Sequence, residues 1–169
     1  MLFGVVMLSG LAADVVTKSI MVARLDAEFP VRLLGGLLTL RLLRNSGAAF
    51  SQGQRFTYIF AVAAIAVLAF VLIRLVPQLR HRGWAIALGL LCAGVSGNLV
   101  DRIFRRPGVL RGHVVDFLQL PYFAIFNVAD ICITTSAALI IYWSVIKGIG
   151  LDGEHATHPP AKQRARRGT

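Results

Sequence analysis

Of the 169 residues, 56% are hydrophobic and only 15% charged, and 18 Lys and Arg against 8 Asp and Glu leave a formal net charge of +10. A soluble domain carries roughly a quarter charged residues, so this composition excludes an ordinary globular chain; two cysteines and no glycine period exclude disulfide scaffolds and collagen as well. A basic excess in so apolar a chain points to a membrane rather than to nucleic acid.

A helix needs about 20 apolar residues to cross a bilayer, and four stretches approach or reach that length. The first, 2–22, contains Asp14 and Lys18 and lacks a basic leading region, so it reads as a retained helix rather than a cleaved signal peptide. Asp14 and Lys18 stand four positions apart with the acid first, which predicts an ion pair inside the bundle; contact with a polar substrate headgroup is the alternative. In the long connection 24–55, the Gly35-Gly36 pair and the mixed run 37–43 predict one or two short strands, hence a small sheet lying on the membrane surface. The second span, 56–73, carries no charge.

The third span, 84–100, is rich in Gly and Ala, which suits close helix packing in lipid. Asn98 within it must satisfy its amide, which predicts a polar network. Asp101 and Arg102 follow at the interface, point in different helical directions and read as anchors at a helix end. The connection 101–121 holds the basic stretch Arg105-Arg106-Pro107, read as solvated, and the run 113–118 around Asp116, apolar enough to dip toward the bilayer.

The fourth span, 122–146, puts Asp130 about 12 Å along the helix from that side, with Asn127 on the same face three positions earlier. Tyr142, Trp143 and Lys147 close it as interfacial anchors. Cys92 and Cys132 lie in apolar runs without ligand-spaced neighbours and read as buried thiols. Residues 1–150 thus form one four-helix unit, while 151–169, with Pro159-Pro160 and the basic run 162–167, reads as a disordered tail. Four spans leave both termini on one side, but basic residues divide almost evenly between the two sides, so charge does not fix the orientation.

Ionisable groups within a membrane are expensive, which singles out Asp116 and Asp130. Two carboxylates at one poorly hydrated site do not both ionise easily; one keeps a proton while the other stays charged, the arrangement that activates water for amide hydrolysis. An intramembrane Asp in a proton or ion path, as in a coupled carrier, remains the alternative. A carrier needs polar groups at both faces, whereas this chain gathers them toward one. A non-enzymatic assembly protein leaves the buried aspartates without a purpose. No serine has a G-x-S-x-G context, and of His81, His113, His155 and His158 only His113 lies near the acids. The pattern calls for no metal, no cofactor and no nucleic acid.

Five blocks taken together carry a family resemblance: Asp14-Val-Val-Thr-Lys18, Asn45-Ser-Gly-Ala-Ala-Phe50, Gly97-Asn-Leu-Val-Asp-Arg102, Val114-Val-Asp-Phe117 and Phe126-Asn-Val-Ala-Asp130. In order and spacing the chain resembles lipoprotein signal peptidase, or signal peptidase II, a bacterial membrane aspartic protease family. Cys92-Ala93 and Ile131 depart from the family pattern without removing a carboxylate. The resemblance implies an all-α membrane protein of four transmembrane helices with a small extracytoplasmic β-sheet. It implies Asp116 and Asp130 as the catalytic pair, with Asn45, Asn98, Arg102 and Asn127 lining the site; Asp14, Lys18 and Asp101 read as supporting residues. The implied substrate is a diacylglyceryl prolipoprotein, cut before its lipidated cysteine by a monomer among membrane lipids. Both termini would be cytoplasmic and the site would face the outer leaflet of the inner membrane.

Overall fold

The structure is a computed structural model that describes residues 1–47 and 57–155. Phe56, where the second span was expected to begin, residues 48–50 of the Asn45 block and 156–169 of the expected tail lie outside the described residues.

Among the described residues four helices are long and apolar enough to cross a membrane. Helix α1 runs Leu2–Arg24 and α2 Thr57–Phe70, the latter continued by a π-helical turn, Val71–Leu75, and a 3-10 turn, Val76–Gln78, where Pro77 ends it. Helix α3 spans Arg82–Phe104, and α4 spans Val128–Ile141 with a closing π-helical turn, Tyr142–Ile146. A three-stranded antiparallel sheet sits at one end, ordered β1 (Val31–Leu33), β2 (Leu38–Asn45), β3 (Val114–Gln119). The observed architecture is therefore the expected four-helix membrane protein with a small sheet.

Helix α3 is the central post: it packs on each of the other three, and 56% of its apolar window is buried in the protein against 11–17% for theirs. Small residues permit this. A Cβ at Gly94 would run into the Ala129 carbonyl and the Ile133 side chain, so α3 and α4 meet backbone to backbone there. The end opposite the sheet packs around Val71, Trp84, Leu88 and Cys92. There the Leu151 carbonyl accepts from Arg80 N at 3.0 Å and His81 N at 3.1 Å, and Trp84 Nε1 donates to the Ile149 carbonyl at 2.9 Å. Residues 151–155, expected in the tail, therefore belong to a turn packed under α3.

Several boundaries differ from expectation, each for a local reason. The third span runs on to Phe104, so Asp101 and Arg102 lie in its last turn and are buried rather than anchoring at an exposed interface. The run expected at 113–118 is largely strand β3, whose first four residues are buried on both faces and whose backbone pairs with β2. The strand expected at 37–43 is β2, whose register with β3 shifts between Leu40 and Leu43. Opposed residues share a face. Val31, Leu33, Leu40, Leu118, Leu43, Asp116 and Asn45 therefore lie on one face, and Arg32, Thr39, Gln119, Arg44 and Val115 on the other.

Candidate active site

The fourth helix begins later than its apolar run suggests. Pro121 and Tyr122, with φ of 60°, turn the chain, and Phe126 bridges back to Leu118 with N–H to carbonyl distances of 2.9 Å in both directions. Asn127 is then the N-cap: its side chain accepts from Asp130 N at 3.0 Å, and the Asp130 carboxylate accepts from Asn127 N at 3.1 Å. This reciprocal box satisfies two otherwise orphaned donors. It puts Asp130 in the first helical turn, not about 12 Å inside the span as the apolar run implied.

Asp116 reaches the same place from β3, and is 2% exposed. Its Oδ1 accepts from Asn127 Nδ2 at 2.6 Å and its Oδ2 from Asn45 Nδ2 at 2.9 Å. Asn45 is held by its own turn, its Oδ1 accepting from Gly47 N at 2.8 Å, with Gly47 at φ 92°. Burial pushes the Asp116 carboxyl up to about 6; the two amide donors oppose that shift, and the negative charge of Asp130 adds to it. Asn127 thus touches both acids, one through its NH₂ group and the other through its backbone and side-chain oxygen.

Beneath the pair lies a buried polar network. Asn98 Nδ2 donates to Asp130 Oδ1 at 2.9 Å, and Asn98 Oδ1 accepts from Lys18 Nζ at 3.0 Å and from Asn127 Nδ2 at 3.2 Å. Lys18, only 1% exposed, also lies 2.8 Å from Asp14 Oδ2 and 2.9 Å from Asp101 Oδ2. Asp14 Oδ1 in turn accepts from Ala129 N at 2.8 Å, tying α1 to the start of α4. Asp101 accepts from Val115 N at 3.1 Å and pairs with Arg105, tying α3 to β3. Two cations thus balance two anions, as burial of such charges demands.

The i,i+4 pair expected of Asp14 and Lys18 is present, but Lys18 does more than that spacing suggested. Arg105, read as solvated, is in fact the partner of Asp101; the i,i+4 spacing of those two was the available signal. Arg102 is 9% exposed and stacks on Phe60, 5.2 Å from the ring centroid, beside Gly47. Its Nη1 is buried with no hydrogen-bond partner among the described residues. Asn45, Asn98, Asn127, Asp116 and Asp130 therefore share one hydrogen-bonded site, and Arg102 lines its side. Cys92 and Cys132 are buried free thiols. Among the described residues no group of three or more His, Cys, Asp and Glu is arranged to hold a metal ion.

Two carboxylates in unlike environments, joined through one amide, can hold a single proton between them and exchange it with a bound water. Residues 6–146 match the family described as signal peptidase (SPase) II. The lipoprotein signal peptidase of Leifsonia xyli is 48% identical over 141 residues, covering 83% of this chain and 64% of that protein. That of Streptomyces coelicolor is 46% identical over 140 residues, covering 83% and 68%. The chain thus spans about two thirds of the length of these relatives. A bacterial membrane enzyme solved by the in meso method at 2.3 Å superposes with a TM-score of 0.69 at 25% identity, covering 92% of each chain. A second, solved at 1.9 Å, gives 0.67 at 28% identity, covering 83% of this chain and 90% of the other. With the family match extending from α1 through α4, this chain belongs to the signal peptidase II family.

Proposed function

We propose that this protein is an aspartic endopeptidase of the bacterial inner membrane that removes signal peptides from diacylglyceryl-modified prolipoproteins, cutting before the lipidated cysteine. The observation that carries the reading is the joining of Asp116 and Asp130 through Asn127. In this reading one carboxylate takes a proton from water as the water oxygen attacks the scissile carbonyl carbon. The protonated partner gives its proton to the carbonyl oxygen. Collapse of the tetrahedral diol breaks the C–N bond, a proton passes to the leaving amine, and the pair returns to its single shared proton. The raised Asp116 carboxyl suits it to enter as the proton carrier.

Asn45 and Asn127 hold Asp116, Asn98 holds Asp130, and Arg102 lines the substrate side; Asp14, Lys18 and Asp101 keep the amides in place. The exposed apolar sheet residues Val31, Leu33 and Leu43 favour approach of a lipidated substrate from the bilayer. Both termini then face the cytoplasm and the site faces the outer leaflet, with one chain sufficient and the peptidase unit extending through the turn at 151–155. The gathering of ionisable groups at one end favours this over a coupled carrier. Asp116→Asn and Asp130→Asn are each expected to abolish cleavage of a lipidated precursor in proteoliposomes while the helical circular dichroism is retained. Release of signal peptide at the normal rate by either variant sinks the proposal.

A further inference from the structure

The sheet face turned away from the aspartates carries a second feature. A cavity of about 520 Å³ opens between Arg44 of β2, Arg106 and Pro107 just beyond α3, and His113 just before β3. Its connection is fixed by the backbone: His113 N donates to the Arg106 carbonyl at 3.0 Å, and Gly112 N to the Arg102 carbonyl at 2.9 Å. Among the described residues the lining supplies two guanidinium groups and an imidazole, and no carboxylate. Among the described residues neither Arg44 nor Arg106 has an ion pair. Asp101 is taken by Lys18 and Arg105, and Asp116 lies on the opposite face of the sheet.

Depth and surroundings identify the anion this cavity fits. Helix α3 has 23 residues. It is therefore about 34 Å long, enough to cross a hydrocarbon core of about 30 Å, which leaves Arg106, two residues past its end, at the level of the headgroups. Phe104, the last residue of α3, is 79% exposed, and Val109 on the connection beyond it 73%. An acidic peptide has no use for bare phenyl and isopropyl groups beside its cationic seat, whereas a phospholipid presents a phosphate and acyl chains together.

We infer that the Arg44–Arg106–His113 cavity is a binding site for the phosphate of an anionic phospholipid in the leaflet at the aspartate end, with Phe104 and Val109 against its acyl chains. The guanidinium forks match phosphate oxygens in geometry, and the imidazole adds a further donor. Such a site would tether the connection between α3 and β3 to the bilayer independently of peptide cleavage.

The test uses the full chain purified in neutral detergent and native mass spectrometry with phosphatidylglycerol or phosphatidylcholine at equal concentration. One phosphatidylglycerol should be retained in preference to phosphatidylcholine, and R44Q/R106Q should weaken that retention by about tenfold or more, since each cation near an anionic lipid contributes substantially. R32Q/R41Q removes the same charge from the same side of the sheet and should leave retention within about twofold of the parent, because neither residue lines the cavity. Equal loss in both double variants, or no preference for the anionic lipid, overturns the site. Two further arms use inorganic phosphate alone and an oligoglutamate peptide; displacement of bound lipid by the peptide at equal concentration, or saturable retention of free phosphate, overturns the lipid assignment. Circular dichroism and precursor cleavage in detergent check that the variants are folded.

Discussion

Lys18 Nζ donates to Asn98 Oδ1 at 3.0 Å, and this contact decides which end of the Asn98 amide faces Asp130. With its oxygen claimed by an ammonium group, the amide has only its NH₂ left to offer the carboxylate. A residue that touches neither acid thereby sets the polarity of the floor under one of them.

Lys18→Met is therefore expected to lower kcat by about tenfold to a hundredfold with a smaller change in KM, because it frees the amide to turn rather than removing a substrate contact. The decisive measurement is a double-mutant cycle with Asn98→Ala. Non-additive losses place Lys18 upstream of Asn98, whereas simple addition assigns it to packing. Because Lys18→Met leaves Asp14 and Asp101 facing each other, Lys18→Arg, which keeps the charge, serves as the folding control.

Stability should fall as pH rises through the acid range on account of Asp116. Its carboxyl moves from an ordinary 3.8 up to about 6, so the folded state holds the proton more tightly than the unfolded chain. The advantage is complete below pH 3.8 and is lost as pH rises to about 6, a change on the order of 3 kcal/mol from this group. Chemical unfolding of the parent and of Asp116→Asn between pH 4 and 7 should show the slope in the parent and its reduction in the variant.

Asn127 has two separable duties. Asn127→Ser keeps an N-cap acceptor for Asp130 N but discards the donor to Asp116; it should retain most of the thermal stability and lose cleavage by about a hundredfold or more. Asn127→Ala removes both, and should cost about 1 kcal/mol more in stability than a cap-preserving change. Equal stability of the two variants would separate the cap from the helix it is assigned to hold.

Gly97→Ala should destabilise by about 1–3 kcal/mol, because its Cβ would strike the Asp14 carboxylate that holds Ala129 N. Gly4→Ala, where a Cβ meets nothing within 4 Å, is the matched substitution and should be neutral or slightly stabilising. Thermal unfolding in one detergent compares the pair directly.

Spans, sheet and both acids were legible because long apolar runs and misplaced charges are local signals. Asp14 with Lys18 followed from helical spacing alone. The site's depth did not: counting apolar residues from 122 ran through Pro121's neighbourhood into a bridge and a cap, and so buried Asp130 too far. Asp101 was misread for a different reason. Its partners, Lys18 and Val115 N, are brought to it by packing of α1 and β3, and no spacing within α3 announces them. Strand β3 was hidden by its content, since a strand buried on both faces has the composition of a membrane-dipping loop.

The register shift between Leu40 and Leu43 has a chemical effect at a distance from itself. Two residues of β2 stand there where β3 spends one step between Phe117's neighbours, and every side chain downstream changes sides. With an unbroken ladder Arg44 would oppose Val114 and point at Asp116, and Asn45 would turn outward. The extra residue thus delivers a neutral amide to the acid and sends the guanidinium to the far face. Pairing the two strands without that shift would bring a permanent positive charge against Asp116 and hold the acid in its ionised form, so that the proton it carries would be gone before any substrate arrived.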